Sequence, residues 1–106
     1  MMREEEIDLS ASDLVIIRDI LRRHVAGLQV WAFGSRVSGR ARQFSDLDLC
    51  IVGEKPLPPA VAAALAEDFS NSDLPFKVDL VDWITASPTF RDIILSRKVV
   101  VQQAED

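Results

Sequence analysis

The sequence predicts an α/β (α+β) fold in which a small mixed β-sheet is packed with helices, and three observations carry that expectation. Runs with helical apolar spacing alternate with short runs rich in Val, Ile, Leu and aromatic residues, in the order helix, strand, strand, helix, strand, helix, strand. Turn formers fall between the runs: Gly27, Gly34, Gly53 with Pro56, Asn71-Ser72-Asp73 and Ser87-Pro88. Length and composition agree, since 106 residues, 48% hydrophobic and 27% charged, suffice for one domain over residues 1–106 with a core of its own.

Residues 1–8 are charged, with Glu4, Glu5, Glu6 and Asp8 crowded together, and are expected to fray. A helix follows over residues 11–25 because Leu14, Ile17, Leu21 and Val25 recur at helical spacing; Ser10 or Ser12 can cap it, and Gly27 stops it. Arg18, Arg22 and Arg23 lie on its other sides, and His24 in the last turn reads as a solvated histidine or a favourable helix-end charge. Residues 28–33 form the first strand, which ends at Gly34-Ser35, and the loop beyond has room for a helical turn. Residues 47–52 form the second strand, with Leu47, Leu49 and Ile51 on one face and Asp48 and Cys50 on the other.

The alanine-rich run over residues 58–69 reads as a helix with prolines near its start, where they are tolerated. Pro75 introduces a third strand over residues 76–82. Ser87 then caps a last helix that starts at Pro88 and runs to about residue 95 through Phe90, Ile93 and Ile94. Residues 98–102 are a final short strand. Trp31 and Trp83 read as core or strand-end anchors, and Cys50 as a small buried hydrophobe.

A net charge of -5 argues against a dedicated nucleic-acid binder, which needs a basic face. The charge is unevenly spread, however: six arginines lie from Arg18 to Arg42 against one acid, Asp19. The single cysteine forms no internal disulfide, and no signal peptide or membrane-spanning run is visible, so the cytoplasm is the expected compartment, with no membrane partner.

The candidate chemistry lies in residues 34–48. Asp46 and Asp48 are one residue apart at a strand start, so both carboxylates can aim at one point. Converging carboxylates repel, and a divalent cation relieves the repulsion; hard oxygen ligands favour Mg2+ or Mn2+ over zinc. Gly34 lets the backbone turn tightly against a ligand, and the Ser35 hydroxyl and nearby backbone N–H groups can donate to phosphate oxygens, with Arg36, Arg40 and Arg42 adding charge. Asp79, inside an otherwise apolar strand, needs solvent, a partner or a metal.

Gly34-Ser35, ten residues, then Asp46-Leu47-Asp48 resembles the G-S-x10-D-x-D signature of the nucleotidyltransferase superfamily related to DNA polymerase beta. The short chain is most similar to its minimal nucleotidyltransferases, the MNT family, over nearly its whole length. The resemblance implies the nucleotidyltransferase fold, two Mg2+ ions and ATP as nucleotide substrate. Asp46 and Asp48 would hold both ions, Asp79 would supply a third carboxylate with Asp82 as fallback, and Gly34 and Ser35 would grip the β- and γ-phosphates. It also implies a partner, a small helical HEPN protein that is a ribonuclease toxin in many pairs. The implied role is that of an antitoxin transferring AMP to a toxin tyrosine, as a homo-oligomer or in a hetero-oligomer with the toxin.

One departure is visible. Many such proteins read Gly-Ser-Arg-Ala-Arg-Gly at the turn, whereas Ser38 stands here in place of the second arginine, and Arg40 or Arg42 is the expected substitute. Two other readings compete: a degenerate transferase that neutralises its partner by covering it, and a catalytic subunit that nucleotidylates a small molecule such as an aminoglycoside.

Overall fold

Ser10 opens the first helix, α1 (Ala11–Val25): its hydroxyl accepts from the Asp13 backbone N–H at 3.1 Å, which decides between the two serines. The computed structural model describes residues 7–105. Leu14, Ile17, Ile20, Leu21 and Val25 form the buried stripe of α1, and the chain leaves it through Gly27 at φ +88°. There follow β1 (Gln29–Phe33), α2 (Ser35–Ser38), β2 (Leu47–Val52), α3 (Pro59–Ser70), β3 (Val78–Asp82), a 3-10 turn (Trp83–Thr85), α4 (Pro88–Ser96) and β4 (Val99–Gln102). Ser87 caps α4 by accepting from the Phe90 N–H at 3.1 Å. Boundaries differ from the sequence expectation by one or two residues, and the 3-10 turn is new, being too short to show a period.

The sheet runs β3-β2-β1-β4 and is mixed: β1 is antiparallel to β2 and β4, while β2 and β3 are parallel. A parallel pair needs a crossover, and α3 provides it. One sheet face, carrying Val30, Ala32, Leu47, Leu49, Ile51, Val99 and Val101, packs with the apolar stripe of α1 and with Leu65 and Phe69 of α3. The opposite face carries a smaller cluster in which Phe33 and Cys50 meet Ile94, Phe90, Trp31 and Trp83. The two tryptophans pack edge to face with centroids 5.3 Å apart, as anchors rather than exposed platforms. Cys50 is fully buried, and its thiol is pushed up to about 11, by burial first and then by the charge of Asp82, with Arg91 opposing. It remains a thiol at neutral pH.

Two expectations change. His24 is not simply solvated: its Nε2 is 2.9 Å from Asp68 Oδ2, so the end of α1 is tied to α3, with Arg23 3.4 Å from the same oxygen. The expected fraying of residues 1–8 falls largely outside the described residues, but Ile7 and Asp8 are anchored. Ile7 is in the core, and the Asp8 N–H donates to the Arg36 carbonyl at 2.7 Å. Among the described residues no helix is long and apolar enough to cross a membrane.

Candidate active site

At the end of β1 the backbone reverses through Gly34 at φ +82°, and α2 begins with Ser35. Two constraints demand glycine. The positive φ disfavours any side chain, and a Cβ there would collide with the Asp48 carboxylate. The Gly-Ser turn therefore lies directly against Asp48. Gly34→Ala should lower ligand-free stability by roughly 1–3 kcal/mol and displace Asp48. Urea unfolding reads the first effect and nucleotide binding the second; a variant with wild-type stability and affinity would show that the close approach is not needed.

Asp48 is paired on both sides, opposite Phe33 of β1 and opposite Asp79 of β3. Neighbouring strands are about 4.8 Å apart, so side chains of paired residues on parallel strands stand side by side on one face. Asp46 is exposed, one residue before β2 begins. The Asp48 carboxyl is raised above the ordinary carboxylate range, by burial first, then by the charge of Asp79, then by that of Asp46. Three acids thus share one field.

That field is what a divalent cation would relieve, and the donors are all hard oxygens, so the residues fit Mg2+ in kind. Among the described residues, however, no three acidic, histidine or cysteine side chains are gathered into a ready-made ligand cluster. Asp79 Oδ1 instead lies 3.6 Å from Lys77 Nζ. Asp82, the fallback ligand, is engaged elsewhere: its Oδ2 accepts from the Leu57 N–H at 3.2 Å and holds the chain ahead of α3.

Beside the acids, a pocket of about 590 Å3 is lined by Gly34, Ser35, Ser38 and Arg40 and, from the other side, by Ile93, Ser96 and Arg97. Gly34, Ser35 and Arg40 are thus brought together as the sequence suggests. Ser38 donates to the Ser35 carbonyl at 3.3 Å and receives Arg40 Nε at 3.4 Å, so Arg40 crosses the position that the resemblance gives to an arginine. The Arg42 side chain is exposed and does not line the pocket, while its backbone N–H donates to Ser45 Oγ at 2.8 Å.

Arg36 differs most from expectation. It is 6% exposed, and its guanidinium donates to the carbonyls of Ser45 at 2.9 Å, Asp8 at 2.9 Å, Gln43 at 3.0 Å and Arg42 at 3.4 Å. It also stacks 4.0 Å over the Phe76 ring. A guanidinium so engaged organises the loop that carries Asp46. The residues the sequence reading missed are Ile93, Ser96 and Arg97. Helical period marks Ile93 as an element residue, but nothing local to it shows that this helix end meets the Gly-Ser turn.

A Gly-Ser turn closed over side-by-side strand acids defines the class, a nucleotidyltransferase fold. A solved toxin–antitoxin with AMP-PNP superposes with a TM-score of 0.73 at 24% identity, over 88% of this chain and 75% of that one. A structure of a tri-AMPylated Shewanella oneidensis HEPN toxin in complex with MNT antitoxin gives a TM-score of 0.67 at 23% identity, over 88% and 71%. These likenesses establish the fold. The family model for polymerase beta, nucleotidyltransferase, matches residues 16–106, and the chain belongs to that family. A curated relative, the probable protein adenylyltransferase MntA of Haemophilus influenzae, is 48% identical over 100 residues, 94% of this chain and 88% of the relative.

Proposed function

We propose that the protein is an adenylyltransferase that moves AMP from Mg-ATP to a hydroxyl of a partner protein, a tyrosine of a cognate HEPN-type toxin, and so acts as a cytoplasmic antitoxin. The observation that carries this is the placement of Asp48 against Gly34 and beside Asp79. The acceptor and donor classes come from the relatives: the 48% identical protein is a probable protein adenylyltransferase, and the similar folds include an antitoxin with an AMPylated toxin.

In this reading Asp46, Asp48 and Asp79 would hold the divalent cations, which would supply neutralisation of phosphate charge and favour a deprotonated acceptor. The acceptor oxygen forms a bond to the α-phosphorus, the bond from that phosphorus to the bridging oxygen breaks, and pyrophosphate leaves with the electron pair. The hydroxyl proton passes to bulk water, since Asp79, beside Asp48 on the edge strand β3, is taken up by the cations in this reading. Gly34, Ser35 and Arg40 hold the β- and γ-phosphates.

The test is incubation with Mg2+, α-labelled ATP and the HEPN partner. Label is expected on the partner and is expected to vanish with Asp46→Asn. A second reading, neutralisation by binding alone, is favoured by the Lys77–Asp79 ion pair and the ungathered acids. A tight complex that silences the partner without label would establish that reading and overturn the first.

A further inference from the structure

We infer that Arg97, at the end of α4, is the second arginine of the triphosphate site, taking the β- and γ-phosphates together with Arg40 from across the pocket. This rests on the nucleotide-binding reading above and adds a residue that the turn sequence does not contain.

The sheet register brings Arg97 there. β4 is antiparallel to β1 with Val99 opposite Ala32, and two residues further along β1 and two back along the other chain are Gly34 and Arg97. The backbone of Arg97 is extended, at φ -160° and ψ 110°, continuing the line of β4 past the sheet. Its side chain is exposed and lines the same 590 Å3 pocket as Gly34, Ser35, Ser38 and Arg40. Among the described residues no acidic side chain lines that pocket, and the two charged groups that do, Arg40 and Arg97, are both cations.

The other cations nearby are engaged. Arg36 is held by four backbone carbonyls, Lys98 Nζ lies 4.4 Å over the Trp31 ring, and Arg91 donates to the carbonyls of Trp83 and Ile84, each at 3.0 Å. The Arg97 side chain makes no hydrogen bond, ion pair or ring contact among the described residues. An arginine fixed in position by its backbone but with a free guanidinium fork suits bidentate recognition of a phosphate. Ser38 leaves the room: a short hydroxyl stands where a long side chain would fill the pocket between Arg40 and Arg97.

Calorimetric titration of the full chain with AMP-PNP and with AMP, each with Mg2+, tests this in wild type, Arg97→Ala and Arg97→Lys. Arg97→Ala should weaken AMP-PNP about 10- to 100-fold, as for loss of charged hydrogen bonds, and leave AMP within about twofold. Arg97→Lys should recover part of the loss. Equal weakening of both nucleotides, or AMP-PNP binding as in wild type, would overturn the assignment while leaving the nucleotide reading intact. If wild type itself does not bind AMP-PNP, both fall.

Discussion

Asp48→Asn should abolish most nucleotidyl transfer, by about a thousandfold or more, and at the same time raise the melting temperature of the ligand-free protein by roughly a few degrees. The two effects have one cause. Asp48 is partly buried against Gly34 with Asp79 and Asp46 nearby, and its carboxyl is raised in consequence. A raised acid holds its proton more tightly in the folded than in the unfolded chain. Its contribution to stability is therefore fully present only at acid pH, below the unfolded value, and is lost as pH rises through the folded value. Above the folded value the carboxylate opposes folding, and asparagine removes that charge with little change of shape. The same variant should flatten this part of the pH dependence of stability. A lower melting temperature at neutral pH would show that Asp48 is satisfied by contacts rather than strained by neighbours, and activity near wild type would remove it from the site.

Arg36→Ala should be the most destabilising of the changes considered, by about 3 kcal/mol or more. It would leave the carbonyls of Ser45, Asp8, Gln43 and Arg42 without their donor and open a void beside Phe76. Arg36→Lys should rescue little, since one ammonium cannot span four acceptors held by a planar fork. Urea unfolding measures both. Wild-type stability combined with lost ATP affinity would return Arg36 to the phosphate-binding role that its place after Gly34-Ser35 suggests.

Arg36 also shows where legibility in the sequence stops. Periodicity and turn residues placed α1, α3, α4 and the four strands within a few residues, because each side-chain pattern is set by local geometry, while α2 was legible only as room for a helical turn. The spacing from Gly34-Ser35 to Asp46-Leu47-Asp48 marked these residues as one candidate site; that Gly34 lies against the Asp48 carboxylate is visible only in the fold. Asp79 was legible as an acid out of place among apolar neighbours. The direction of the Arg36 side chain was not, since it depends on carbonyls from Asp8 and from residues 42–45 that converge only in the fold. The same holds for the His24–Asp68 link and for the approach of Ile93, Ser96 and Arg97, each of which needs two elements distant in sequence.

The mixed sheet order has a consequence for how the site comes into being. The β2–α3–β3 crossover brings Asp48 beside Asp79, but the end of α4 reaches Gly34 only when β4 docks on β1, a closure spanning most of the chain. Such long-range closures carry the larger entropic cost and set the pace of folding. A nascent chain still lacking its β4 pairing would hold its acids without the far wall of the pocket. In the proposed nucleotide-binding reading, the wall of the pocket that Arg97 supplies is thus complete only in the fully assembled molecule.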